Sequence, residues 1–114
     1  MRSQKEFVQF IVEGLAPLGT VTAKRMFGGD GIFREGLMFG LVSEDTLYFK
    51  VDEALRNEYA QLDCEPFTYT RQGKRCHLGY FSVPAEALED TEVLRQWALK
   101  SWQVAVQAHR PKSK

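Results

Sequence analysis

Between Thr20 and Val51 the chain passes through four short apolar runs, TVTAKRMF, GIF, LMFGLV and TLYFKV, separated by GGDG, REG and SED. Aromatic and β-branched residues dominate the runs, and the spacers are turn formers too short to carry a helix. The region is therefore restricted to an antiparallel meander of three or four strands. Leu37, Met38 and Phe39 in one run, and Leu47, Tyr48 and Phe49 in another, are apolar at successive positions. Because side chains alternate across a strand, such runs put apolar groups on both faces of a sheet, and each face needs a cover.

The flanking segments change period. Ser3 followed by Glu6 forms a capping box, and Phe7, Phe10, Ile11, Gly14, Leu15 and Leu18 recur at helical spacing, which predicts a helix from residue 3 to about 16 stopped by Pro17 and Gly19. A second, short helix starts at an Asp52 cap with Leu55, Tyr59 and Leu62 inward. PFTYTR and KRCHLGYFSV flank QG as a hairpin in which Gly73 supplies a positive φ. Pro84 opens a turn or a single helical coil. Asp90 or Thr91 then caps a last helix with Leu94, Trp97, Ala98, Ser101, Ala105 and Ala108 on one face, followed by the polar tail HRPKSK. The order is helix, meander, helix, hairpin, helix over one domain, residues 1–114. The fold class is α+β, with helices at both termini and in the middle laid over one face of an antiparallel sheet.

At 114 residues the chain can bury a single core. Its 15 Lys and Arg balance 15 Asp and Glu, so no global field favours nucleic acid or anionic lipid, and any such role needs a local patch. The N-terminal segment is amphipathic, interrupted by Gln9 and Glu13, which argues against an export signal. GLMFGLV falls well short of the ~20 residues a membrane span needs. The expectation is a cytoplasmic protein, with no membrane association, whose two cysteines stay reduced.

The segment RMFGGDGIFREG raises the question of a phosphate-binding loop. Such a loop leads directly into a helix whose first N–H groups meet the anion. Here GGDG leads into strand material, and its spacing fits neither G-x-G-x-x-G nor G-x-x-x-x-G-K-[ST]. Phe27, Gly28, Gly29 and Gly31 are read as a turn motif serving backbone geometry, with no cofactor implied.

Cys64, Cys76, His77 and His109 have the composition of a zinc site. Adjacent strand residues point to opposite faces, however, so Cys76 and His77 do not readily share an ion, and C-x11-C-H matches no usual finger; no metal is expected. Alternation places Cys76, Leu78 and Tyr80 on one face, making Cys76 a small core residue with His77 and Arg75 opposite. Glu65 beside Cys64 raises a thiol pKa rather than lowering it, so no nucleophile is assigned. Glu44-Asp45, Asp52-Glu53 and Glu89-Asp90 fall at turns or helix starts, where capping accounts for them. No catalytic residue is expected.

MFGG-G, PF-Y and VP before a long Trp-containing helix occur within KRMFGGDGIFREGLMFGLVSEDTLYFKVDE, PFTYTRQGKR and YFSVPAEALEDTEVLRQWALKSWQVA. In kind and order these resemble the N-terminal domain of the TfoX/Sxy family of competence regulators, over nearly the whole chain. The resemblance implies an α+β fold similar to secretion-chaperone-like domains, frequent self-association, and a link to transcriptional control of DNA uptake. It brings no catalytic residues. Competence-regulating members add a C-terminal helical domain, whereas this chain reaches Lys114 straight after its last helix, so a stand-alone N-terminal domain is expected.

Two features suggest partners. Lys24, Arg25, Arg71, Lys74 and Arg75, interleaved with Phe67 and Tyr69, form a cationic patch for an acidic protein or nucleic acid if the two regions are adjacent. Otherwise they are solvated hairpin tips that discourage edge pairing. The acidic run Glu86, Glu89, Asp90 and Glu92 is a candidate counterpart across a dimer. Trp97 and Trp102 lie five apart on the last helix and point in different directions. Trp97 fits the inner stripe, and Trp102 is read as the candidate interface residue, with a half-buried flank as the alternative. The resulting expectation is a non-enzymatic regulatory or protein-interaction module, a homodimer with a further protein partner. Nucleic-acid binding is the alternative, and small-molecule binding a more distant one.

Overall fold

A computed structural model describes residues 4–26 and 29–109, with the side chains of His77 and Leu78 outside the described set. Ser3, Phe27, Gly28 and the tail beyond His109, each given a role above, also lie outside it. The elements in chain order are α1 (Gln4–Gly14), a 3-10 turn (Ala16–Leu18), β1 (Val21–Met26), β2 (Gly29–Arg34), β3 (Leu37–Ser43), β4 (Thr46–Lys50), α2 (Glu53–Gln61), β5 (Pro66–Arg71), β6 (Lys74–Ser82), α3 (Ala85–Glu89) and α4 (Thr91–His109). This is the expected α+β succession. Pro17 does not break the chain after α1 but sits inside the 3-10 turn, whose first positions need no N–H partner.

One six-stranded antiparallel sheet runs β1-β2-β3-β4-β6-β5. The meander occupies four places, and β6 inserts between β4 and β5, so β4 and β5 point the same way. A chain that must return before continuing in the same direction needs a crossover, and α2 supplies it.

The hairpins β2–β3, β3–β4 and β5–β6 close on two residues each, all with positive φ: Glu35 and Gly36 at 51° and 80°, Glu44 and Asp45 at 50° and 61°, Gln72 and Gly73 at 54° and 79°. This is the type I′ geometry that matches strand twist. Gly73 behaves as read from the sequence.

The helices cover one face. Phe7, Val8, Ile11 and Leu15 of the N-terminal segment, Leu55 and Tyr59 of α2, and Leu94, Ala98 and Ala105 of α4 enclose Ile32, Phe39, Val42, Leu47, Phe49 and Phe81 of the sheet. Asp52 caps α2 by accepting from the Leu55 N–H at 2.8 Å, and Asp90 accepts from the Glu92 N–H at 2.9 Å. The Arg95 guanidinium donates to the Gly14 carbonyl at 2.9 Å, tying α4 to the end of α1. Leu62, assigned inward from helical spacing, is instead 47% exposed, because α2 ends at Gln61 and the chain turns away before another inward position is reached.

Two bulges interrupt the ladders, and the first also resets the alternation. Ile32 pairs with Gly40 while Phe33 pairs with Met38, leaving Phe39 as an extra residue, and Phe39 and Gly40 both face the helices. In β6 the ladder shifts between Thr68↔His77 and Pro66↔Phe81, where Gly79 has φ of 76°.

Candidate functional site

The other sheet face carries a second apolar cluster. Leu41, Phe67 and Tyr80 are buried there, with Met38, Tyr48 and Tyr69 half-buried against them. Among the described residues every member of this cluster belongs to a strand; no helix lies over it. The rings cover one another: Tyr48 and Phe67 meet edge to face at 5.1 Å, and Phe67 and Tyr69 stack at 6.2 Å. The Tyr80 hydroxyl donates to the Met38 carbonyl at 3.3 Å, and Lys50 lies over the Tyr80 ring at 5.3 Å. Burial pushes the Tyr80 phenol up to about 12. Tyr48 is also raised, chiefly by burial; Thr46 lowers it, and the carboxylates of Glu44 and Glu65 add to the rise.

The glycine motif has a different cause from the expected one. Gly29 and Gly31 belong to β2 rather than to a turn, and Gly31 does not have a positive φ. A Cβ on Gly29 would collide with the Val42 carbonyl of β3, and one on Gly31 would sit 2.7 Å from the Met26 sulfur and 2.9 Å from the Phe33 ring. These glycines allow close approach of neighbouring strands and side chains. Phe27 and Gly28 are outside the described residues.

The five cations do not form one patch. Lys24 and Arg25 belong to β1, one edge of the sheet, whereas Arg71, Lys74 and Arg75 surround the hairpin at the other edge, five strand spacings or roughly 24 Å away. They also divide between faces. Lys24 pairs with Gly31, on the outer side, while Arg25 pairs with Asp30 and lines a hollow under α1 with Gln4, Lys5 and Val8. Arg71 and Lys74 share the outer side with Tyr69 by strand alternation, and Arg75 faces the opposite way.

Trp102 is drawn into the protomer's own packing, which is the half-buried-flank alternative. Its indole meets Phe39 edge-on at 6.1 Å, and the Arg34 guanidinium lies over it at 4.8 Å. Trp97 packs on Tyr59 at 4.9 Å on the other flank of α4. Between α2 and α4 an open cleft of about 320 Å³ is lined by Asp52, Leu55, Glu58, Lys100, Gln103 and Gln107; its one close charge pair, Lys100 to Glu58 at 3.1 Å, is solvent-exposed.

Cys64 and Cys76 are free and half-buried. Cys76 shares the outer face with Tyr69, its cross-strand neighbour, and with Tyr80, as alternation predicts; it is half-buried rather than an enclosed core residue because no helix covers that face among the described residues. Burial, then Asp63, raises the Cys64 thiol, the expected direction with a different neighbour responsible. Among the described residues no group of three or more His, Cys, Asp or Glu is placed to hold a metal. No described helix is long and apolar enough to cross a membrane.

Residues 13–105 match the family model of the TfoX N-terminal domain. A DNA transformation protein, TfoX1 of Aliivibrio fischeri (strain ATCC 700601 / ES114), is 30% identical over 80 residues, which amounts to 70% of this chain and 36% of that protein. The chain thus spans about a third of the length of the curated relative it matches.

Proposed function

This chain belongs to the TfoX N-terminal domain family, and from that premise we propose that it is a non-enzymatic protein-interaction module in the regulation of DNA transformation. The observation that carries the proposal is the uncovered outer sheet face, where Met38, Leu41, Tyr48, Phe67, Tyr69 and Tyr80 gather with no layer above them among the described residues. Aromatic residues and methionine are enriched at the centres of interfaces, and methionine adapts to a partner's shape. Lys50, Arg71 and Lys74 border the aromatic end of the cluster, so the occupant best matched to it is a protein segment with apolar side chains flanked by carboxylates.

The test is the double substitution Met38→Glu, Tyr48→Glu, which places charge on this face without touching the helix-covered core. The variant should stay cooperatively folded, with only the moderate loss of stability that two half-buried positions carry, and lower the host's transformation frequency at least tenfold. A folded variant, present at parental level, that transforms normally would refute the proposal. Salt-sensitive DNA retardation by the parent that survives the double substitution would put nucleic-acid recognition in its place.

A further inference from the structure

The edge strand β5 is chemically self-complementary. Read from Glu65 to Arg71 it is E-P-F-T-Y-T-R, with an acid at one end, a base at the other, and aromatic residues symmetrically about Thr68. The odd positions, Glu65, Phe67, Tyr69 and Arg71, share the outer side by strand alternation.

The hydrogen-bonding parity of the strand is fixed at both ends. The two-residue hairpin makes Arg71 and Lys74 the pair that exchanges backbone bonds, and at the far end the Ser82 N–H donates to the Glu65 carbonyl at 2.8 Å. The backbone groups of residues 65, 67, 69 and 71 therefore point to β6, and those of Pro66, Thr68 and Thr70 point outward. β5 pairs with β6 alone and is the last strand of the sheet.

We propose that β5 pairs antiparallel with β5 of a second copy about a two-fold axis at Thr68, joining two six-stranded sheets edge to edge. In that register each Thr68 N–H donates to its counterpart's carbonyl, and each Thr70 N–H donates to the other copy's Pro66 carbonyl. Pro66, which has no N–H, occupies the terminal position where the loss is smallest. On the outer side Phe67 lies opposite Tyr69 of the second copy, and Glu65 lies opposite its Arg71, so each of the four side-chain pairs is favourable.

The other edge is unsuited to the same arrangement. Lys24 and Arg25 lie in β1 on opposite faces, so an antiparallel self-pair centred on the strand would bring two like charges near one another on each face. Pairing through β5 leaves the uncovered sheet face accessible in both copies. It does not depend on which partner occupies that face, although Phe67, Tyr69 and Arg71 border both surfaces.

Sedimentation equilibrium of the full chain tests the pairing. The parent should be a dimer at tens of micromolar. Glu65→Arg and Arg71→Glu should each raise the dimer dissociation constant at least tenfold, and the charge-swapped double variant should recover most of the loss. Thr68→Pro, which removes an outward N–H unused within the protomer, should give a folded monomer by circular dichroism. A parent that stays monomeric at several hundred micromolar overturns the proposal. So does a dimer indifferent to both charge substitutions, or one in which the double variant is no better than the singles. Because the readout is mass and not transformation frequency, failure here is distinct from failure of the docking face.

Discussion

Phe49 and Tyr48 are neighbours in β4 and of similar size, yet Phe49 is fully enclosed beside Phe39 and under the helices, while Tyr48 stays half-exposed on a face made only of strands. One sheet thus has two apolar faces, and among the described residues only one of them is covered by helices. The helix-covered face builds the fold. The other contributes side-chain packing within a single layer, where rings shield one another but leave apolar surface in water, a pattern associated with docking.

The sharpest way to break this comparison is to empty each face in turn. Phe49→Ala should cost about 3–5 kcal/mol in urea unfolding, because a large buried ring leaves a cavity. Tyr48→Ala should cost less than half of that, about 1–2 kcal/mol, since part of the ring is already hydrated. Equal losses would make the outer cluster a second core.

Alkaline titration separates the faces by a different route. Burial raises the phenols of Tyr59, Tyr80 and Tyr48. A phenol whose folded pKa lies above its unfolded value of about 10 stabilises the fold fully below that pH, and the contribution is lost as pH rises through the folded value. For Tyr80, pushed up to about 12, the loss should reach about 2–3 kcal/mol between pH 10 and 12. The tyrosinate absorbance should rise together with unfolding. Tyr80→Phe should flatten this dependence, and an unchanged pH profile would contradict the burial of Tyr80.

Gly29 and Gly31 test how the sheet's layers approach. Gly29→Ala drives a methyl into the Val42 carbonyl, a backbone atom with nowhere to go, and should cost about 1–3 kcal/mol. Gly31→Ala meets the ends of Met26 and Met38, which can rotate, and the edge of the Phe33 ring, which must shift, so it should cost less than Gly29→Ala, about 1 kcal/mol by the same denaturation measurement.

The smallest effect concerns a polar flaw in the inner core. The hydroxyls of Tyr59 and Ser101 are both fully buried and neither has a partner in good hydrogen-bond geometry, although Ser101 is close enough to lower the Tyr59 pKa partway against the rise from burial. Because each hydroxyl is already unpaired, Tyr59→Phe, Ser101→Ala and the double substitution should each be neutral or slightly stabilising, within about 1 kcal/mol, whereas a loss of about 1–3 kcal/mol on either single removal would show that the two hydroxyls pair. Calorimetric melting of the three variants decides between these outcomes.

Much of the local structure was legible because it is set by near neighbours. The helical spacing of Phe7, Ile11 and Leu15, the Asp52 and Asp90 caps, and the positive φ at Gly73 each depend on a few adjacent residues, and each appears where expected. The SED turn is harder to read as a type I′ hairpin, because Glu44 and Asp45 adopt positive φ without glycine. The bulges at Phe39 and Gly79 were not legible. A glycine inside a strand pattern is the available signal at both places, with Gly40 next to the first bulge and Gly79 within the second, but only the first changes which face a residue takes, whereas Cys76 and Tyr80 stay on one face across the second.

The candidate site divides in the same way. Successive apolar residues in β3 and β4 announced a sheet greasy on both sides, a consequence of side-chain alternation that holds wherever the strands end up. Where the cations fall is a different matter. It depends on β6 entering between β4 and β5 and on β1 ending the sheet at the opposite edge, pairings between segments dozens of residues apart that no local pattern encodes. The sequence by itself determined the element order, the turns and the two apolar faces, because these rest on dihedral preferences and period-two geometry. Only the tertiary structure decided which face the helices would cover, which residues would share an edge, and that Trp102 would be held by Phe39 and Arg34, because those outcomes depend on packing among distant parts of the chain.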